Sequence, residues 1–398
     1  MRSRCLLLAA LLVGPVAWAQ ERGEPWARHT IDGESRGADG VRLADVNGDG
    51  LMDITTGWEE GGVIRVYLNP GHAKAREKWP AVTVGKVGSP EDAVFADLDG
   101  DGAADVVSAC EGKVRSLFVH WAPKDKARYL DAAAWSTEAI PAAKGAMMWM
   151  FAFPIQLDGR HGLDLVAGAK GGGAQIGWLE APANPRDLAA WRWHPLRPAG
   201  WIMSLIPADM DADADMDIVA SDRKGRERGV FWLENPGPGP AQAQPWKERP
   251  IGGQDKEVMF VTLADLDKDG LVDVLAATRG LELLYLRRKT KTPATWERFP
   301  IALPPNTGTA KGVAVGDVDL DGKPDIVFTC ENARGKSGVL WMSRGDSGWS
   351  GHEISGPEGT KYDLVELIDL DGDGDLDALT CEETENLGVF WYENPAKQ

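Results

Sequence analysis

The sequence predicts an all-β fold, a seven-bladed β-propeller built from four-stranded antiparallel blades. Three observations carry this. A nine-residue acidic segment recurs seven times, each copy sits among the same short apolar runs, and the chain ends hold complementary pieces of one blade.

The acidic segments are DVNGDGLMD (45–53), DLDGDGAAD (97–105), DMDADADMD (209–217), DLDKDGLVD (265–273), DVDLDGKPD (317–325) and DLDGDGDLD (369–377). A degenerate copy, QLDGRHGLD, fits at 156–164, and successive copies begin 52 to 59 residues apart. An apolar stretch precedes each copy, such as Val41–Ala44 or Phe260–Ala264, and another follows it, such as Ile218–Ala220. These read as two strands joined by a tight turn. A third strand ends in Trp-x-Glu-Asn-Pro or a relative of it, at 229–236, 388–395, 177–182 and 66–70. The fourth repeats a Trp followed five residues later by Ile, Val or Leu, from Trp26 and Ile31 through Trp349 and Ile354. Four short strands per repeat is propeller periodicity, because each small sheet buries its faces against its neighbours.

The ends of the chain agree with this reading. The last unit stops after its third strand, at Tyr392-Glu393-Asn394-Pro395, while WARHTI at 26–31 is a fourth strand with no blade of its own. Pairing the two completes a blade and removes two exposed sheet edges. No linker remains to divide residues 20–398, which are expected to form a single domain, and Pro236–Pro240 reads as a surface loop.

Residues 1–19 read as a signal peptide: Arg2 and Arg4 precede the apolar run Leu6–Val13, and Ala17-Trp18-Ala19 has the small-x-small pattern of a cleavage site. A secreted or periplasmic monomer is expected, with no membrane span, since no later apolar run is long enough. Losing Arg2 and Arg4 takes the net charge from −18 to −20. Such a surface repels nucleic acid and favours divalent cations. Cys110, Cys330 and Cys381 are too few for a disulfide scaffold and read as buried free thiols.

Carboxylates at loop positions one, three and five converge on one point, and glycine at position six permits the left-handed turn that brings position nine back. This suits calcium, a hard cation that takes six to eight oxygens. The loops are not EF-hands, because position twelve is Thr56, Ser108, Ala220, Ala276, Phe328 or Thr380 where a bidentate Glu is required. The pattern resembles the calcium-binding hairpin of FG-GAP and VCBS repeats, the family that includes the propeller of integrin α subunits. The resemblance implies these ligand sets: Asp45, Asn47, Asp49 and Asp53; Asp97, Asp99, Asp101 and Asp105; Asp209, Asp211, Asp213 and Asp217; Asp265, Asp267, Asp269 and Asp273; Asp317, Asp319, Asp321 and Asp325; Asp369, Asp371, Asp373 and Asp377. About five or six calcium ions are implied. In the fourth loop Ala214 replaces the turn glycine, which puts its geometry in question. The degenerate third loop is expected to be metal-free, with the Arg160 guanidinium in the cation's place.

The acidic loops join first and second strands, so a ligand is expected on the opposite face. Three tryptophans not explained by the repeat fall there by register: Trp58, Trp149 and Trp201. A charged residue about six places beyond each loop's last Asp adds a ring of Glu59, Glu111, Lys170, Arg223, Arg279, Glu331 and Glu382. Aromatic faces beside polar groups suit a glycan, and a protein ligand is the other expectation. Trp232 and Trp391 are assigned to packing between blades.

The six histidines form no metal-ligand spacing, and there is no nucleophile elbow or phosphate-cradling loop. A binding module for carbohydrate or protein is therefore the first functional expectation. The Trp-x-Glu-Asn-Pro and Trp-x-x-His-x-Ile repeats also look like those of propeller sugar dehydratases. That likeness implies a carbohydrate-active lyase or dehydratase, with Glu111, Glu331 or Glu382 as base and Lys170, Arg223 or Arg279 stabilising an enolate. A structural part of an envelope complex is the third expectation.

Overall fold

Strands pair in sequence order to make seven antiparallel sheets of four strands each. The computed structural model describes residues 22–346 and 348–397, so the leader predicted at 1–19 lies outside the described residues. The first blade holds β2 (Ala38–Ala44), β3 (Asp53–Trp58), β4 (Val63–Tyr67) and β5 (Ala81–Lys86). The next five repeat this order, starting with β6 (Pro90–Ala96), β10 (Met148–Ile155), β14 (Ile202–Ala208), β18 (Val258–Ala264) and β22 (Thr309–Gly316). The last blade contains β26 (Tyr362–Ile368), β27 (Asp377–Glu382) and β28 (Gly388–Glu393), and β1 (Ala27–Asp32) pairs with β28 as its fourth strand. First strands of neighbouring blades pack against one another around the central channel.

Burial is greatest in the second strands and falls toward the outer edge of each blade, and the side chains follow it. Second strands such as Asp273–Thr278 and Asp325–Glu331 are buried at every position, because neighbouring blades cover both faces. Fourth strands such as Lys247–Gly252 keep mostly exposed polar residues. Trp232 and Trp391 lie buried in the apolar layers between blades. Cys110, Cys330 and Cys381 are buried and free. No helix among the described residues is long and apolar enough to cross a membrane.

One irregularity recurs. In every blade the pairing register between first and second strands shifts near the start of the first strand: at Asp39/Arg42, Pro90/Asp92, Trp149/Phe151, Ile202/Ser204, Val258/Val261, Ala310/Val313 and Tyr362/Val365. A bulge re-aims the side chains around it. Here it sits where the strands meet the channel mouth.

Candidate functional site

Each acidic loop is held by its own backbone. Asp45 at position one accepts the Gly48 and Gly50 amides at 2.7 and 2.9 Å, Asn47 accepts Asp49 N–H at 2.8 Å, and Asp49 accepts Leu51 N–H at 2.9 Å. This winding gathers the carboxylates. Oxygens of Asp97, Asp99 and Asp101 lie within 4.8 Å of one another, as do those of Asp209, Asp211 and Asp217 and those of Asp265, Asp267 and Asp269. Asp97 Oδ1, Asp211 Oδ1 and Asp317 Oδ1 are buried with no hydrogen-bond partner. Crowded carboxylates with orphaned oxygens fit a hard cation.

Position nine has a second task. Asp53 accepts Val46 N–H at 3.0 Å and Asn69 N–H at 2.8 Å, clamping the turn to the end of the third strand. Asp105, Asp217, Asp273 and Asp377 repeat this clamp, and so does Asp164 in the degenerate loop. Burial raises these carboxyls, Asp105 to about 7 and Asp164 to about 6.

At the other end of the channel lies a cavity of about 390 Å³, lined from all seven blades. Six of the charged residues expected at this mouth are present: Glu59, Glu111, Lys170, Arg223, Arg279 and Glu331. Most are paired. Lys170 Nζ donates to Glu91 at 3.1 Å and contacts Glu111, Arg279 Nε donates to Glu331 at 2.7 Å, and Lys361 contacts Glu383. Burial pushes Glu91 up to about 8 despite the pull of Lys170. Lys311 Nζ donates to Asp363 at 2.6 Å. Burial raises Asp39 well above the carboxylate range, helped by its neighbour Asp363, whereas Lys311 holds Asp363 down against its own burial.

Three of the expected residues lie elsewhere. Trp58 and Trp149 are fully buried, at 0% exposure, in the apolar layers that also contain Trp391 and Trp121 respectively. Glu382 is also buried, and its carboxylate accepts the amides of Thr360, Lys361, Thr384 and Glu385. The reason is strand alternation. Trp58 and Glu382 stand five places beyond the last loop Asp, in register with Cys110 and Cys330, and every residue at that register is buried. Six places from Asp377 is Glu383. Trp149 stands seven places before its loop, again a buried register, whereas Trp201 stands eight before and reaches the mouth. With Glu382 buried, Glu111 paired to Lys170 and Glu331 paired to Arg279, none of the three glutamates is a free base.

A model of the FG-GAP-like repeat matches residues 45–108, 265–328 and 321–380. The chain carries FG-GAP-like repeats. No curated protein matches the sequence. Among solved structures it is similar to BBS1N in complex with ARL6DN, at 10% identity and a TM-score of 0.55, over 93% of this chain and 97% of that one. Sqt1 of Saccharomyces cerevisiae is similar at 9% identity and a TM-score of 0.52, over 94% and 99% of the two chains. A rhamnogalacturonan lyase of Bacillus licheniformis gives 13% identity and a TM-score of 0.49, over 94% and 75%. These likenesses are of fold.

Two of the acidic loops, both outside the matched regions, depart from the pattern in informative ways. In the fourth, Ala214 adopts φ 78°, close to the 86–88° of Gly50, Gly102 and Gly270, so the turn is kept. A left-handed alanine costs about 1–2 kcal/mol there. In the third, the mostly exposed Arg160 guanidinium pairs with Asp158, the position-three carboxylate, at 2.6 Å and with Glu180 at 3.0 Å. The Gln156 amide ties the loop together: Nε2 donates to the Arg160 carbonyl at 2.9 Å and to the Gly162 carbonyl, while Oε1 accepts Gly159 N–H at 2.8 Å. A neutral amide thus supplies both acceptor and donor, and the loop closes on itself.

The repeat also holds a signal that the sequence reading missed. The residue six places before each loop is Asp39, Glu91, Met150, Met203, Met259, Lys311 or Asp363, and all seven line the cavity. Together with the second-strand ring they divide the mouth. The third to fifth blades contribute Lys170, Arg223 and Arg279 beside methionines, and Phe151 and Phe260 extend that apolar floor. The other four contribute acids and lysines.

Proposed function

We propose that this chain is a calcium-stabilised interaction module, exported by its leader, that takes a charged ligand at the channel mouth opposite its FG-GAP-like loops. The observation that carries the reading is the two-sided cavity, with a basic arc over an apolar floor facing an acidic arc. A concave site with an apolar base and a few directed charges is how proteins hold small ligands and inserted segments. A polypeptide segment fits better than a neutral glycan. A glycan needs an open aromatic face, and the one expected tryptophan at the mouth, Trp201, has Lys170, Arg223 and Lys224 over its ring at 4.5–4.8 Å.

Calcium would be held by the side chains at positions one, three and five of six loops, all acids but Asn47, with position nine as clamp and contributor. Its charge would relieve repulsion among carboxylates that otherwise face one another. Equilibrium dialysis checks this loop by loop. Asp101→Ala is expected to lose about one bound ion per chain, and Arg160→Ala none, because Gln156 already closes the third loop. Equal losses would overturn the assignment.

The mouth is tested by display of peptides and glycans against the calcium-loaded protein. Peptide ligands are expected, with at least tenfold weaker binding to Arg223→Glu/Arg279→Glu. A ligand that binds this folded variant undiminished would place the binding surface elsewhere.

A further inference from the structure

The pairing of charges at the mouth leaves one carboxylate and one edge of a guanidinium open. Lys170, Arg279, Lys311 and Lys361 each contact a carboxylate there, and Asp39 lies within 4.8 Å of the Asp363 carboxylate. Glu59 lines the cavity from the first blade, its carboxylate within 4.8 Å of those of Asp39 and Glu91 and with no hydrogen-bond or ion-pair partner among the described residues. Arg223 lines it from the fourth blade and is only 6% exposed. Its Nε donates to Glu257 at 3.0 Å and its guanidinium lies over Trp201 at 4.5 Å, so the group is fixed in orientation. The Nη edge has no protein partner among the described residues. A guanidinium held in this way presents a two-pronged donor edge that matches a carboxylate. Lys224 adds positive charge over the same ring at 4.8 Å.

Taking the mouth as the binding site, we infer that its ligand is a zwitterion, an unblocked short peptide. Its carboxylate pairs with the Nη edge of Arg223 and its ammonium with Glu59. An unpaired half-buried carboxylate and an unfilled buried guanidinium edge are both costly, and a ligand with both end groups compensates both. Between them, Met150, Met203 and Met259 offer a deformable apolar seat for side chains. A cavity of about 390 Å³ accommodates a ligand of this size.

The test is isothermal titration of the full calcium-loaded chain with a library of unblocked apolar tripeptides, repeated with their N-acetylated and C-amidated forms. Unblocked peptides are expected to bind, and either block is expected to weaken binding at least tenfold. Arg223→Gln should abolish discrimination against the C-amide, and Glu59→Gln that against the N-acetyl form. If doubly blocked peptides bind the wild type equally well, the zwitterion inference falls while the mouth stands. If no tripeptide binds but a neutral oligosaccharide does, the inference also falls. The blocked-peptide comparison needs only wild-type protein, so it decides even if Arg223→Gln fails to fold.

Discussion

Excess EGTA is expected to lower the melting temperature by well over about ten degrees. Each ion bound only by the folded chain contributes RT ln(1 + [L]/Kd), and the unfolded chain cannot assemble the loops. The effect is large because several sites add. Without the ion, acids such as Asp97, Asp99 and Asp101 crowd together within 4.8 Å. The hairpins survive in part, since the position-nine clamp rests on backbone amides and needs no ion, as Asp164 shows in the third loop. Differential scanning calorimetry with and without chelator measures this, and superimposable curves would remove calcium from the account.

Replacing Trp58 or Trp149 by alanine is expected to destabilise the fold by about 3–5 kcal/mol each. Both are fully buried. Trp58 donates its indole N–H to Tyr67 at 2.9 Å, and Trp149 donates to the Ala143 carbonyl at 3.0 Å. Each substitution would leave a large cavity between blades and an unsatisfied acceptor. Trp201→Ala should cost much less, because Trp201 lies at the mouth and its indole nitrogen has no partner to lose. Denaturant unfolding of the three variants separates them. Equal, small losses would return Trp58 and Trp149 to the ligand face.

The architecture was legible because a propeller is written in repeats. Seven acidic loops at near-constant spacing gave the blade number, and the orphan strand at 26–31 anticipated the pairing of Ala27–Asp32 with Gly388–Glu393. Six of the seven ring residues were found by counting from the loops. Glu382 was one place out, and a single step in a strand turns a side chain from the channel to the core.

Local spacing therefore determined the blade number, the loop chemistry and the identity of most charged groups at the mouth. Tertiary structure decided which of them face the channel, which are neutralised and which remain open. A bulge in each first strand re-aims Glu91, Met150 and their counterparts, and an alternation pattern does not reveal where that extra residue falls. Charge pairing across blades is likewise a matter of distance in space: Lys170 and Glu91 are 79 residues apart in the chain and 3.1 Å apart in the fold. The Glu59 carboxylate and the Nη edge of Arg223 are left open only by what their neighbours have already paired with, because an ion's partners are chosen by packing and not by sequence order.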